Sequence, residues 1–176
     1  MVIAIDVDGV LRDIITTIEK MISKKYGQPY FITRYDDKNI IEALRTDMRK
    51  VFLKSPIYPG AKDFMDWLYN NFRVKIISYQ PMVGGILFTN LWLKNHDIKY
   101  HDLVYVDKPQ HKADEEWDLI VEDNPDVVQE ALNRGREGCL IERRYNQNHG
   151  NMKLFKDFTE IKEYICTLQK SNNFVL

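Results

Sequence analysis

Cysteine is scarce in this chain: only Cys139 and Cys166 occur among 176 residues, far apart and without metal-like spacing. That excludes a disulfide scaffold and a cysteine metal knuckle, and it fits a reducing, intracellular setting. Net charge is nearly absent. Lys and Arg number 25 against 26 Asp and Glu, a formal −1, so bulk electrostatics give no reason to expect a nucleic-acid partner. No apolar run approaches the roughly 18 residues of a membrane span, and no basic stretch precedes an apolar one at the N-terminus. A soluble, cytoplasmic protein with no membrane partner is expected. Repeats and low-complexity segments are missing too.

What is present is enough apolar residue, 44%, for a substantial core, and a length that suits one domain with a small insertion. Strands and helices alternate. Val2–Ile5 reads as a buried strand, and Ile14–Tyr26 as a helix stopped by Gly27. Asp36 and Asp37 are placed to cap a second helix that runs to about Leu53. The prolines of "SPIYPG", Ser55–Gly60, break the pattern. Helices are then expected over 61–71, 84–95, 125–135 and 158–169, with strands over 74–77, 103–106, 119–121 and 139–141. Asn124 before Pro125 is a strong helix start. Such alternation predicts an α/β fold, a Rossmann-like doubly wound parallel sheet covered on both faces. Ligands bind such sheets outside the carboxyl ends of the strands.

Those ends carry the chemistry. "DVDGVLRD" sets Asp6, Asp8 and Asp13 directly after the first strand. A plain turn needs no two acids one residue apart. An EF-hand loop is excluded, because Gly9 comes two positions too early and Thr17 stands where the bidentate glutamate belongs. Ser78 follows one strand, Glu122 and Asp123 follow another, and Lys112 lies ten residues before Glu122. Taken singly, these read as a strand-end serine, a solvated lysine and acids at a helix start. Their joint placement at strand ends points to a site.

"DVDGVLRD", "IIS", a lysine and "DLIVEDNPD", in this order, resemble the four motifs of the haloacid dehalogenase superfamily of phosphohydrolases. "IYPGAKDFMDWL" and "LIERRYN", ending at Asn146, are similar to segments of the 5'(3')-deoxyribonucleotidases and small bacterial and phage nucleotidases. The resemblance implies a core of residues 1–13 and 58–176 and a small helical cap of residues 14–57. It implies Asp6 as nucleophile, giving an aspartyl-phosphate, and Asp8 as general acid and base. Mg²⁺ is the implied cofactor, held by Asp6, the backbone carbonyl of Asp8 and Asp123, with Glu122 acting through water. Ser78 and Lys112 would hold phosphate oxygens, helped by backbone N–H groups after Asp8. Both Lys108 and Lys112 are available, and the spacing favours Lys112. An acid at position 8 favours phosphoryl transfer over carbon–halogen cleavage.

The cap segment holds nine Lys or Arg against five Asp or Glu, and the remainder nets −5. A basic lid over an acidic floor suits an anionic substrate. Arg34, Tyr30, Phe31 and Tyr35, in the loop "GQPYFITRYDD", and Tyr79 are candidate substrate contacts. Ile14 stands where those nucleotidases place an aromatic, so base stacking is not expected there. The expected substrate is a small phosphorylated metabolite, foremost a nucleoside monophosphate. Sugar phosphates, nucleic-acid 3'-phosphates and a non-catalytic Mg²⁺-binding module are the alternatives, and oligomer formation is left open.

Overall fold

The computed structural model describes residues 1–34, 37–147, 150 and 152–172, so Tyr35 and Asp36 lie outside the described residues. The chain runs β1 (Val2–Ile5), α1 (Ile14–Tyr26), α2 (Lys38–Lys54), α3 (Ala61–Asn71), β2 (Arg73–Tyr79), α4 (Gly85–Asn95) and β3 (Asp102–Val106). A 3₁₀ helix at Pro109–Asp114 follows, then β4 (Leu119–Glu122), α5 (Pro125–Asn133), β5 (Glu137–Ile141), β6 (Leu154–Phe155) and α6 (Phe158–Asn172). The six strands form one sheet in the order β3-β2-β1-β4-β5-β6, every pair parallel.

The expected doubly wound α/β fold is therefore present. Alternation along β1 divides the core between the two faces of the sheet. Ile3 and Ile5 join Phe64, Met65 and Leu68 of α3, Trp92 of α4 and Ile161 of α6 on one face. Ala4 joins Ile77, Trp117, Ile120 and Val127 of α5 on the other. Sequence order reverses at β1, between β2 and β4, and that switch point is where a crevice opens.

Caps follow local chemistry. Asp13 accepts from Thr16 N at 3.0 Å, starting α1, and Gly27 ends it with φ +69°. Asn124 accepts from Asp126 N at 3.0 Å and Pro125 takes the first turn of α5. Three features depart from the expected pattern. α2 is broken at Asp47 (φ −154°, ψ 74°), whose side chain caps the second half by accepting from Lys50 N at 2.9 Å. β2 extends through Tyr79, paired with β3, so Ser78 lies inside the strand end and not beyond it. The 3₁₀ helix and the two-residue β6 carry no periodicity long enough to read from sequence.

Helices α1 and α2 have an apolar cluster of their own, built from Ile18, Ile22, Ala43, Leu44, Val51 and Phe52. They leave and rejoin the sheet through one paired hinge. Asp13 N donates to Pro56 O, Tyr58 N donates to Leu11 O, both at 2.9 Å, and Arg12 bridges Ile57.

Candidate active site

Asp6 follows β1 at the centre of the sheet, and its amide donates to Val121 O of β4 at 3.1 Å. The chain then turns tightly: Leu11 N and Arg12 N both donate to Val7 O, and Gly9 N donates to Arg12 O. Of the N–H groups after Asp8, those of Gly9, Leu11 and Arg12 are spent inside the turn. Gly9 adopts φ +82°, and a Cβ there would meet the Asp123 carboxylate. The turn thus brings β1 against the end of β4. Asp13, the third acid of the motif, is a helix cap and stands apart from the cluster.

Asp6, Glu122 and Asp123 are buried, and their carboxylate oxygens lie within 4.8 Å of one another. Lys112, carried by the 3₁₀ helix and also buried, places Nζ 2.9 Å from Asp6 Oδ1 and 2.7 Å from Glu122 Oε2. Lys108 is exposed, so geometry agrees with the lysine that spacing favours. Glu122 Oε1 accepts from the amides of Asp123 and Asn124. Asp123 is held twice: Tyr145 donates its hydroxyl to Oδ2, and Asn146 Nδ2 donates to its carbonyl at 2.7 Å. Asp123 Oδ1 is buried with no partner among the described residues.

One buried cation faces several buried anions, and the ionisation of the acids reflects it. Burial, then repulsion from Glu122 and Asp8, pushes Asp6 up to about 8 despite Lys112. Burial pushes Glu122 up to about 7, with Lys112 pulling back, and burial and Asp6 push Asp123 up to about 6. Burial opposes the charge of Lys112, yet Asp6 and Glu122 outweigh it and hold the amine above its ordinary range. The all-oxygen donor set and the orphaned Asp123 Oδ1 fit a hard divalent cation such as Mg²⁺.

Asp8 stands beside this cluster with both oxygens engaged. Arg12 Nε donates to Oδ1 at 2.7 Å and Gln80 Nε2 to Oδ2 at 2.8 Å, while the same Gln80 amide donates to Ser78 Oγ at 2.9 Å. Ser78 is buried. Over the site lies a cavity of about 110 Å³ lined by Asp8, Gly9, Ile14, Ile15, Ile40, Asp123 and Tyr145. Its walls are apolar apart from Asp8, Asp123 and Tyr145.

The sequence candidates of the cap stand elsewhere. Tyr30 donates to Asp37 Oδ2 at 2.6 Å and accepts from Asn39 Nδ2 at 2.7 Å. Phe31 is exposed under the Arg144 guanidinium, Arg34 is exposed, and Tyr79 is half-buried at the end of β2. None of these four lines the cavity over Asp8. Sequence reasoning missed Arg12, Gln80, Tyr145 and Arg143. Arg143 Nε donates to Gly9 O at 2.6 Å and its guanidinium lies 3.8 Å from the Tyr58 ring centroid, bracing the turn from behind. The signal for Arg12 was its place in "DVDGVLRD", four residues after Asp8 and directly before Asp13.

No protein-family profile matches the sequence, and no curated protein does. Solved structures do match. A haloacid dehalogenase-like family hydrolase of Streptococcus pneumoniae superposes with TM-score 0.62 at 15% identity, covering 93% of this chain and 97% of that one. The HAD-hydrolase YfnB of Bacillus subtilis, solved bound to magnesium, gives 0.64 at 12% identity, with 93% and 97% covered. A HAD family hydrolase of Deinococcus radiodurans, solved with bound phosphate and sodium, gives 0.62 at 13% identity, with 94% and 95% covered. The chain, with its parallel sheet and acids at the central strand ends, has the fold of the haloacid dehalogenase-like hydrolases.

Proposed function

We propose that this protein is a magnesium-dependent phosphomonoester hydrolase that works through an aspartyl-phosphate on Asp6, and that its substrates are nucleoside monophosphates. The observation that carries the reading is the cluster itself: Asp6, Glu122 and Asp123 around Lys112, with Asp8 one turn away. Asp6, the carbonyl of Asp8 and Asp123 would hold Mg²⁺, with Glu122 behind them. Bound there, the ion supplies positive charge that lets an anionic ester approach an anionic nucleophile.

The rest falls to the chain's own residues. An Asp6 oxygen attacks phosphorus as the ester P–O bond breaks, dividing one difficult hydrolysis into two steps. Asp8 delivers a proton to the leaving oxygen, then takes one from the water that hydrolyses the aspartyl-phosphate. Lys112 stands against Asp6 and balances charge on the phosphoryl group, and the Ser78 hydroxyl is a further donor. The cap residues Ile14, Ile15 and Ile40 keep water from the reacting atoms.

Support for nucleoside monophosphates comes from the apolar cavity, which offers surface to a sugar and base, and from the basic cap. Arg34, Tyr30, Phe31 and Tyr79 reach substrate in this reading only after the cap moves. The small volume of the cavity favours a second reading, a phosphatase of smaller phosphomonoesters. Phosphate release from a substrate panel, with Mg²⁺ and with EDTA, tests both. Deoxynucleoside monophosphates are expected to exceed sugar phosphates in kcat/KM by at least about tenfold, on the order of 1.4 kcal/mol. Sugar phosphates turning over as well or better would reject the nucleotidase reading. Turnover undiminished by EDTA would reject the magnesium-dependent mechanism.

A further inference from the structure

Arg12 is fully buried, a placement that strongly disfavours a guanidinium unless every face is partnered. Here every face is. Nε donates to Asp8 Oδ1 at 2.7 Å, Nη1 to the Phe52 carbonyl at 2.7 Å, and Nη2 to Thr89 Oγ1 at 2.9 Å. The guanidinium carbon lies 4.8 Å from the Phe52 ring centroid and 5.3 Å from that of Trp92. The partners come from three separate elements: the turn after β1, the last turn of α2, and α4. A lysine has neither the planar fork nor enough directed donors to replace it.

We propose that Arg12 is the positioning residue of the acid–base carboxyl, and that it ties the position of Asp8 to that of α2. The proposal rests on the phosphomonoesterase reading given above. Nε fixes Oδ1 from the buried side. Oδ2 is then the oxygen able to exchange its partner, Gln80, for the leaving group of a substrate. Gln80 suits such an exchange, because it is only partly buried and its own Oε1 has no partner among the described residues. The other end of the fork is held by a main-chain carbonyl of the cap helix. A shift of α2 against the sheet therefore reaches Asp8 through one rigid plane, without a loop between them. Arg12 touches neither phosphorus nor nucleophile, and its effect on turnover passes through Asp8 alone.

Leaving-group dependence separates this role from a merely structural one. p-Nitrophenolate leaves with little help from an acid, whereas the alkoxide of glycerol 1-phosphate needs a proton. Arg12→Lys is expected to lower kcat/KM, which reports only the steps through departure of the leaving group, by about 100-fold for glycerol 1-phosphate and by less than about fivefold for p-nitrophenyl phosphate. In an Asp8→Asn background the same substitution is expected to add less than about twofold, because its route to the reaction is already gone. Should Arg12→Lys not fold, Thr89→Val removes one partner of the fork and is expected to shift the ratio of the two kcat/KM values in the same direction, by at least about threefold. Equal losses of kcat/KM on both esters by a folded Arg12→Lys or Thr89→Val enzyme, or additive losses with Asp8→Asn, would overturn the proposal and leave the phosphomonoesterase reading standing. Equal losses of kcat/KM on both esters for Asp8→Asn alone would remove the role of Asp8 as acid toward the leaving group, and this proposal with it.

Discussion

A Cβ placed on Gly9 would lie 1.9 Å from Asp123 Oδ2, so the turn after β1 meets Asp123 across a gap that only a hydrogen fills. Gly9 also holds φ at +82°, where an L side chain costs about 1–2 kcal/mol. Gly9→Ala is expected to lower the thermal midpoint and to push Asp123 out of the cluster. The stabilisation expected of MgCl₂ in thermal melts of the wild type should then be lost. A variant that melts at the wild-type temperature and still responds to Mg²⁺ would show that Asp123 is not where the cation is held.

Asp6 is disfavoured as an anion by burial and by Glu122 and Asp8, which pushes it up to about 8. Above about pH 8, where Asp6 is ionised, removing the charge relieves that cost while deleting the proposed nucleophile. Asp6→Asn should therefore reduce turnover by about 10³-fold or more. Its thermal midpoint in EDTA should equal or exceed that of the wild type. A clear loss of stability in EDTA would mean that the Asp6–Lys112 pair outweighs the repulsion. Substantial turnover by the purified variant would reject Asp6 as nucleophile.

Lys112 and Lys108 separate on burial. Lys112→Ala strands two buried carboxylates, Asp6 and Glu122, and losing one partner of such a buried pair costs about 3–5 kcal/mol. Exposed Lys108 should tolerate alanine within about 0.5 kcal/mol, with turnover near wild type. Urea unfolding and a phosphatase assay on both variants check this, and the opposite ranking would move the phosphate-binding role to Lys108.

Arg144 connects the loop after β5 to α1 and to the loop that follows it. It pairs with Glu19 of α1, and its Nε donates to the Ile32 carbonyl at 3.2 Å; Glu19 in turn accepts from Ile32 N at 2.6 Å. The pair is partly exposed, so Arg144→Ala should cost less than about 1 kcal/mol of global stability. Amide exchange in α1 and around Ile32 should nevertheless accelerate, because those amides exchange through local opening of the cap. Unchanged exchange there would show that the cap is held by its apolar contacts alone.

The first motif was legible because its information is local. A buried run ending in Asp6, a glycine at position 9 and an acid at position 8 define a strand and a turn that contact their own neighbours, and the parallel-sheet rule then places them in the crevice. Lys112 was legible for a related reason: its distance from Glu122 is ten residues, and the Nζ–Oε2 bond spans that one connection. Ser78 followed from the end of an apolar run, though its strand extends through it. The cap aromatics were not legible in the same way, because periodicity marks a side chain as apolar and says nothing of which surface it meets. Tyr30 spends its hydroxyl on Asp37 and Asn39 within its own loop. The residues that fix the geometry of the acids were invisible for want of range. Arg12 bonds Asp8 only four residues away, but the partners that hold the rest of its fork stand 40 and 77 residues away, and Tyr145 reaches Asp123 across 22. By itself the sequence determined which residue types stand at the strand ends, since strand, turn and cap each form from neighbouring groups. The tertiary structure alone decided what holds Asp8 and Asp123 and which walls close over them, because those contacts exist only once distant elements pack and exclude water.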